Sequence, residues 1–338
     1  MNEKIRNSNF ELLKVILTIM ILVLHYCNGY IGGALSNIPV GTVNYHLIHI
    51  AESLCIASVN TFIVITGYFM CRKNEIRISK ILKILYLTLV YGVLIFFGWF
   101  IISHPQINTE TIKLSVASIS NRWFVIIYCI LFLLIPYINK VVQSINKRQF
   151  QILLAILLFF FYIWPTFFTN ITVKDNGYGI TNFLTLYLTG GYINLHCSGF
   201  KSVSKSTLVF VLCSAATYFF SLFSENAFYY NSVFNLIGAV ALFEIFHGLT
   251  VKNSKRINFL ATCAFSTYII HENPLISKWL YRDVFQTSNY WTSQYLILNL
   301  IITTIGIYTL CVLIEFIRRY VMKKADRLIE KTEYTLKV

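Results

Sequence analysis

Long apolar segments recur along the whole of this 338-residue chain, which is 57% hydrophobic and only 12% charged. A soluble domain carries about twice that share of charged residues, whereas a helix that crosses a bilayer needs about 20 mostly apolar residues. The sequence therefore predicts an all-α, polytopic integral membrane protein with about ten transmembrane helices. We place them near residues 11–30, 46–70, 80–103, 122–142, 150–168, 181–195, 206–224, 229–250, 257–279 and 293–320.

Positive charge predicts the orientation, because cytoplasmic loops are enriched in Lys and Arg. Of the 28 Lys and Arg residues, 22 fall on the two ends of the chain and on alternate loops, and five fall on the opposite loops. This places both termini in the cytoplasm, with residues 1–10 and 321–338 as tails of one membrane domain, residues 1–338. The net charge of +14 then reflects topology and contact with anionic membrane lipid, not nucleic-acid binding.

Several classes of chemistry have no support in the sequence. The eight Cys residues lack CxxC spacing and mostly lie in apolar segments, so they predict neither a metal site nor a disulfide framework. The chain also lacks a glycine-rich dinucleotide fingerprint and a Walker loop. We therefore expect no metal cofactor and no protein-bound dinucleotide.

The first apolar segment carries Lys14 and His25 on one helical face. Eleven residues at about 100° each end roughly 20° beyond three full turns, and the rise between the two residues is on the order of 16 Å. Glu11 and Thr18 fall on the same stripe. A Lys can snorkel to the surface and a His can bond to a neighbouring helix, but ionisable groups within a span usually mark a functional site.

Other polar groups occur at intervals along the predicted spans. His46, His49 and Glu52 share one helical face near the outer surface, where they could form a metal site, a proton relay, an acceptor rim or a solvated helix end.

His271 precedes Pro274, which interrupts the backbone hydrogen bonds of a helix and is typical of segments that line a cavity. Asn60, Thr61 and Thr66 can form hydrogen bonds inside the bundle, and Trp123 opens a span, where Trp is commonly an interfacial anchor. A basic run follows the second span, with helical spacing that predicts one basic face able to bind lipid head groups or a phosphorylated cofactor: Arg72, Lys73, Arg77, Lys80 and Lys83.

Five segments, in order along the chain, resemble the membrane acyltransferase-3 family, in particular the bacterial branch that O-acetylates surface polysaccharides. The spacing of Lys14 and His25 matches that family's motif of Arg or Lys, ten residues and His in the first helix. The other four similar segments are FIVITGYF (62–69), WFVIIY with IPYIN (123–128 and 135–139), LYLTGGYI (186–193) and FSTYIIHEN (265–273).

The resemblance implies transfer of an acyl group, usually acetyl, from cytoplasmic acetyl-CoA to a hydroxyl of a cell-surface polysaccharide or its lipid-linked precursor, in a bacterial cytoplasmic membrane. Lys14 and the Arg72–Lys83 cluster are then expected to hold the CoA phosphates. His25 is expected to act as general base or transient acyl carrier. Further expected roles are an oxyanion contact for Asn60, Thr66 or Trp123, orientation of Lys14 by Glu11, and a place on the acceptor path for His271.

The sequence departs from the family pattern at a few positions. Lys14 and Thr66 stand where Arg and Ser are usual, and Lys80 and Lys83 stand where Arg is common. Lys keeps the charge but cannot bind phosphate in the bidentate mode of Arg, so donor affinity is expected to differ.

A transporter or polysaccharide flippase is the main alternative function, although we find no internal repeat of the kind many transporters have. A membrane glycosyltransferase or polymerase is a third, disfavoured by short outer loops, of which residues 103–121 form the longest.

Overall fold

The computed structural model describes residues 8–103, 108–110, 113, 122–168, 175–197, 202–332 and 334–337. Residues 1–7 of the predicted tail 1–10 and most of the predicted outer loop 103–121 lie outside them. The main helices are α1 (Ser8–Cys27), α2 (Val43–Cys55), α3 (Ala57–Met70), α4 (Ile78–Ser103), α5 (Trp123–Ser144), α6 (Lys147–Phe167), α7 (Ile180–His196), α8 (Val203–Ser221), α9 (Val233–Gly248), α10 (Lys255–Thr262), α11 (Ala264–His271), α12 (Leu296–Val321) and α13 (Lys323–Glu330).

The prediction of an all-α polytopic membrane protein is confirmed. Within the described residues, eight helical segments are long and apolar enough to cross a membrane, with α2 and α3 forming one of them. Large apolar side chains project outward from these helices, such as Leu89 on α4 and Ile302 on α12, which are 53% and 54% exposed. In a bilayer these side chains face lipid, so their exposure carries no cost.

Two of the ten predicted spans, near residues 181–195 and 257–279, are not among these eight segments. Helix α7 is 17 residues long and lies deep in the bundle, where it packs against α3. The packing is close because both helices carry glycine at the contact: a Cβ on Gly67 would meet the Tyr187 carbonyl oxygen at 2.1 Å, and one on Gly190 would meet that of Val64 at 2.2 Å. Small residues let helix backbones approach within a membrane, where packing replaces the hydrophobic effect as the driving force for association.

The span predicted near residues 257–279 is not one helix. It consists of α10, α11, a non-helical turn at residues 272–276, and a short helix at Ser277–Trp279 that continues as a π-helix over Leu280–Val284. Pro274 lacks a backbone N–H and cannot continue a helix, so α11 ends at His271. A break of this kind frees backbone carbonyls inside the bundle, where buried protein groups can satisfy them.

The basic run after α3 does not form one helical face, contrary to our expectation. Helix α3 ends at Met70, and residues Glu75–Arg77 form a strand, β1, that pairs antiparallel with β2 (Thr335–Lys337). Asn139 of α5 holds the intervening turn by donating from Nδ2 to the carbonyl oxygens of Met70 and Lys73, at 2.7 and 2.8 Å. Pairing with the distant tail therefore overrides the helical spacing of the local sequence.

One end of the bundle carries these strands, the start of α1 and the end of α12. A buried ionic cluster lies there: Glu315 accepts from Arg318 Nε at 2.9 Å, from Arg319 Nε at 2.5 Å and from the Tyr91 hydroxyl. Arg318 also binds Asp326 at 2.8 Å. We call this the inner end, following the charge rule. The outer end, opposite to it, carries the loops that follow α1 and precede α5, α7 and α9.

Candidate active site

Two histidines meet in the bundle interior, toward the outer end. His25 lies in the last turn of α1 and His271 is the last residue of α11. His25 Nδ1 and His271 Nε2 are 2.7 Å apart, and the ring centroids are separated by 4.8 Å. His271 is fully buried, whereas His25 is half-buried. The structure thus brings together two residues that the sequence placed on separate helices.

The hydrogen bonds of His271 determine which ring nitrogen carries each proton. His271 Nδ1 lies 2.5 Å from the Thr267 carbonyl oxygen, and a carbonyl oxygen can only accept, so this Nδ1 is protonated. In the neutral ring, Nε2 is then an acceptor and receives the proton of His25 Nδ1. His25 Nε2 is left with its lone pair, and no hydrogen bond among the described residues uses it. This is the arrangement in which one group fixes the tautomer and orientation of a catalytic base.

The chain after His25 is held in a tight turn by the π-helical segment of residues 280–284. Arg282 donates from Nε to the Ile31 carbonyl oxygen at 2.7 Å and from Nη2 to that of Gly29 at 2.9 Å. The Tyr281 hydroxyl donates to the Leu22 carbonyl oxygen at 3.1 Å. Gly29 and Ile31 lie in the turn that follows α1, and Leu22 lies one turn before its end. These contacts therefore tie the last turn of α1, on which His25 lies, and the turn after it to residues 281 and 282.

Lys14 lies near the inner end of the same helical stripe. Its Nζ donates to Glu11 Oε1 at 3.1 Å, and the two side chains are 32% and 12% exposed. The predicted neighbour relation between Glu11 and Lys14 is therefore present in the structure. A Lys held by one carboxylate retains two further donors.

The other predicted cofactor-binding residues are spread over the inner end. Arg72 donates from Nε to Asn194 Oδ1 at 2.7 Å, Lys83 pairs with Glu330 at 2.6 Å, and Lys80 lies 5.7 Å from the centroid of the Phe132 ring. Lys73 and Arg77 are exposed. The structure thus presents these cations at one end of the bundle but not on one face.

The proposed oxyanion donors lie elsewhere in the bundle or bond to the backbone. Asn60 donates to the Tyr230 carbonyl oxygen at 2.7 Å, and Thr66 donates to the Phe62 carbonyl oxygen of its own helix at 3.0 Å. Trp123 packs among aromatic rings. Within the described residues, no hydrogen bond or ring contact joins these three side chains to His25 or His271.

Sequence reasoning missed two residues beside the histidine pair, Arg122 and Tyr268. Arg122, buried at the start of α5, donates from Nη1 to the Glu272 carbonyl oxygen at 2.8 Å and so fixes the peptide that follows His271. The Tyr268 ring lies one turn before His271, with centroids 6.4 Å apart. Arg122 counted only as an outer charge in the sequence, and no local pattern connects it with a residue 150 positions away.

The His46, His49 and Glu52 face is not arranged as a metal centre in the part of the chain that the structure describes. His46 Nδ1 lies 3.0 Å from the Tyr218 hydroxyl, and His49 Nδ1 lies 2.9 Å from Ser221 Oγ. Among the residues that the structure describes, no group of three or more His, Cys, Asp or Glu side chains is placed to hold a metal ion.

A pair of histidines inside the bundle and a basic inner end place ionisable groups within a polytopic membrane protein. Comparison with protein families identifies it further: residues 7–316 match the acyltransferase domain of the acyltransferase-3 family. The chain therefore belongs to this family and is a membrane acyltransferase. Searches of the curated proteins and of the solved structures found no match.

Proposed function

We propose that this protein takes an acetyl group from cytoplasmic acetyl-CoA and transfers it to a hydroxyl of a cell-surface polysaccharide or its lipid-linked precursor, in a bacterial cytoplasmic membrane. The observation that carries this proposal is the Nε2 of His25, which no described residue hydrogen-bonds and which His271 orients. A neutral imidazole with a fixed tautomer is a suitable general base for a hydroxyl at neutral pH.

In the proposed reaction, His25 and His271 account for every proton transfer. His25 Nε2 takes the hydroxyl proton while the hydroxyl oxygen attacks the thioester carbonyl. The carbon–sulfur bond then breaks, and the CoA sulfur leaves with the proton that His25 held. During the step, the positive charge on His25 is shared through Nδ1 with His271 Nε2, which stabilises the imidazolium form.

The placement of the cations supports a donor that enters from the inner end. CoA carries several phosphate charges, which Lys14, Arg72, Lys73, Arg77, Lys80 and Lys83 would bind. The rise of about 16 Å between Lys14 and His25 is comparable to the reach of a pantetheine arm. A donor whose phosphates lie near Lys14 would therefore present its thioester near His25.

The test is the structure of the host's surface polysaccharide, measured by proton NMR in strains that produce wild-type protein or His25→Ala at equal levels. We expect one O-acetyl signal to disappear with an unchanged sugar backbone. His196→Ala is the matched control, because His196 ends α7 at the inner end of the bundle, away from the histidine pair. An unchanged acetyl pattern in His25→Ala would refute the proposal, and loss of the polymer itself would favour a transporter or polymerase.

A further inference from the structure

Three aromatic rings form a wall at the outer end of the bundle. The Trp123 ring lies 4.7 Å from that of Tyr178 and stacks on that of Tyr230 at 5.9 Å, and the two Tyr rings are 5.0 Å apart. The Tyr178 side chain is 45% exposed, so the wall is accessible at its edge. No hydrogen bond among the described residues uses the hydroxyl of Tyr178 or of Tyr230.

The wall is held by a rigid turn before α7. Gly177 has a φ of +84°, and a Cβ there would meet the Tyr230 Cβ at 2.7 Å, so only glycine fits this approach. The Gly177 N–H donates to Asp175 Oδ1 at 2.8 Å, and the Tyr230 N–H donates to the Asn176 carbonyl oxygen at 3.0 Å. The positions of Tyr178 and Tyr230 are therefore fixed before any ligand binds.

Two acidic side chains near the wall, Glu52 and Glu272, each have one carboxyl oxygen without a hydrogen-bond partner among the described residues. Glu52 is 7% exposed, and its Oε2 is buried and has no hydrogen-bond partner within the described residues; the same holds for Glu272 Oε2. Both carboxylates lie within electrostatic range of Tyr178 and Tyr230. A buried carboxylate oxygen without a partner is costly, and a ligand hydroxyl would satisfy it.

A chain of two further aromatic rings connects the wall with the histidine pair. Phe124, next to Trp123, has its ring 5.5 Å from that of Tyr268, whose ring in turn lies 6.4 Å from that of His271. Glu272 directly follows His271 in the chain. A ligand on the wall would therefore lie on the outer side of His25, opposite Lys14.

We infer that Trp123, Tyr178 and Tyr230, with Glu52 and Glu272, form the acceptor subsite, and that it takes a neutral sugar ring presented from the outer end. The inference rests on the proposed function. The apolar faces of a sugar ring stack on aromatic rings, and its hydroxyls donate to carboxylate oxygens. Donor and acceptor then enter from opposite ends, and the transfer is completed on the outer side of the bundle.

Two variants test the subsite in the full-length protein, purified in detergent. Tyr178→Ala removes a half-exposed ring, and Glu52→Gln keeps the size of the side chain but replaces one carboxyl oxygen with an amide group that cannot accept. The matched controls are Tyr30→Ala and Glu225→Gln, since both residues are exposed at the outer end. The assay follows radiolabelled acetyl from acetyl-CoA onto the host's own surface polysaccharide, from which mild alkali has removed the O-acetyl groups.

We expect the KM for the polysaccharide to rise by about tenfold or more in Tyr178→Ala and Glu52→Gln, with the KM for acetyl-CoA unchanged and both controls like wild type. An unchanged polysaccharide KM in both variants would overturn the subsite while leaving the proposed function intact. So would an equal rise in both KM values, or competition by choline, which would indicate an aromatic cage for a cation. If wild-type protein transfers no acetyl to the polysaccharide, the proposed function fails, and the subsite fails with it.

Discussion

His271→Ala tests whether this residue positions the catalytic base without itself touching the substrate. The substitution removes the acceptor of the His25 Nδ1 proton, which is 2.7 Å away in the structure. In the proposed transition state His25 is an imidazolium, so loss of this acceptor is felt mainly there, and a buried donor without a partner costs about 1–3 kcal/mol. At 1.36 kcal/mol for each factor of ten, this predicts a fall in kcat of about 5- to 160-fold. The free imidazole can also move its proton to Nε2, which abolishes the base and pushes the loss toward the upper limit.

The assay is acetyl transfer from acetyl-CoA by the purified protein, with kcat and both KM values measured separately. Because His271 is expected to act through His25 alone, the KM for acetyl-CoA should be unchanged. His271→Gln is the conservative variant, since its side-chain oxygen can still accept from His25 Nδ1, and it should recover most of the lost kcat.

Two results would refute this reasoning. One is an unchanged kcat in His271→Ala, which would show that His25 needs no partner. The other is an equal loss in His271→Ala and His271→Gln together with a lower Tm in both, which would indicate that His271 serves packing alone.

Three further predictions concern the donor site and the packing. Lys14→Glu should raise the KM for acetyl-CoA by at least about tenfold through lost phosphate attraction, whereas Lys14→Arg should keep it near wild type in the same kinetic assay. Glu315→Ala should destabilise the protein by about 3–5 kcal/mol, because it leaves Arg318, only 5% exposed, without this partner; a Tm equal to wild type in detergent would contradict this. Gly190→Val should lower the Tm more than Gly98→Val does, since a Cβ at Gly190 meets backbone of α3 and one at Gly98 meets nothing within 4 Å; equal Tm values would show that the α3–α7 contact is not tight.

Local patterns predicted much of this molecule because membrane spans depend on local composition. A helix that satisfies its own backbone hydrogen bonds in lipid needs only length and apolar side chains, and the predicted spans for α1, α4 and α5 agree with the structure to within a few residues. The same local reasoning was wrong for the basic run, where helical spacing gave way to the strand pairing of Glu75–Arg77 with a tail more than 250 residues away. In the span near 257–279, the interruption that Pro274 predicted is present, but the sequence did not predict the further division into two short helices at Cys263.

The sequence by itself determined that Lys14 and His25 share one face of a membrane helix, because the helical period fixes the direction of residues on a single element. Only the tertiary structure decided what His25 bonds to. Its partner His271 is 246 positions away, and no periodic pattern links two residues on helices that meet only after the bundle packs. The aromatic wall likewise combines the start of α5 with the turns before α7 and α9. Such sites depend on packing between distant segments, which fixes the tautomer of the base and the unused carboxylate oxygens beside it.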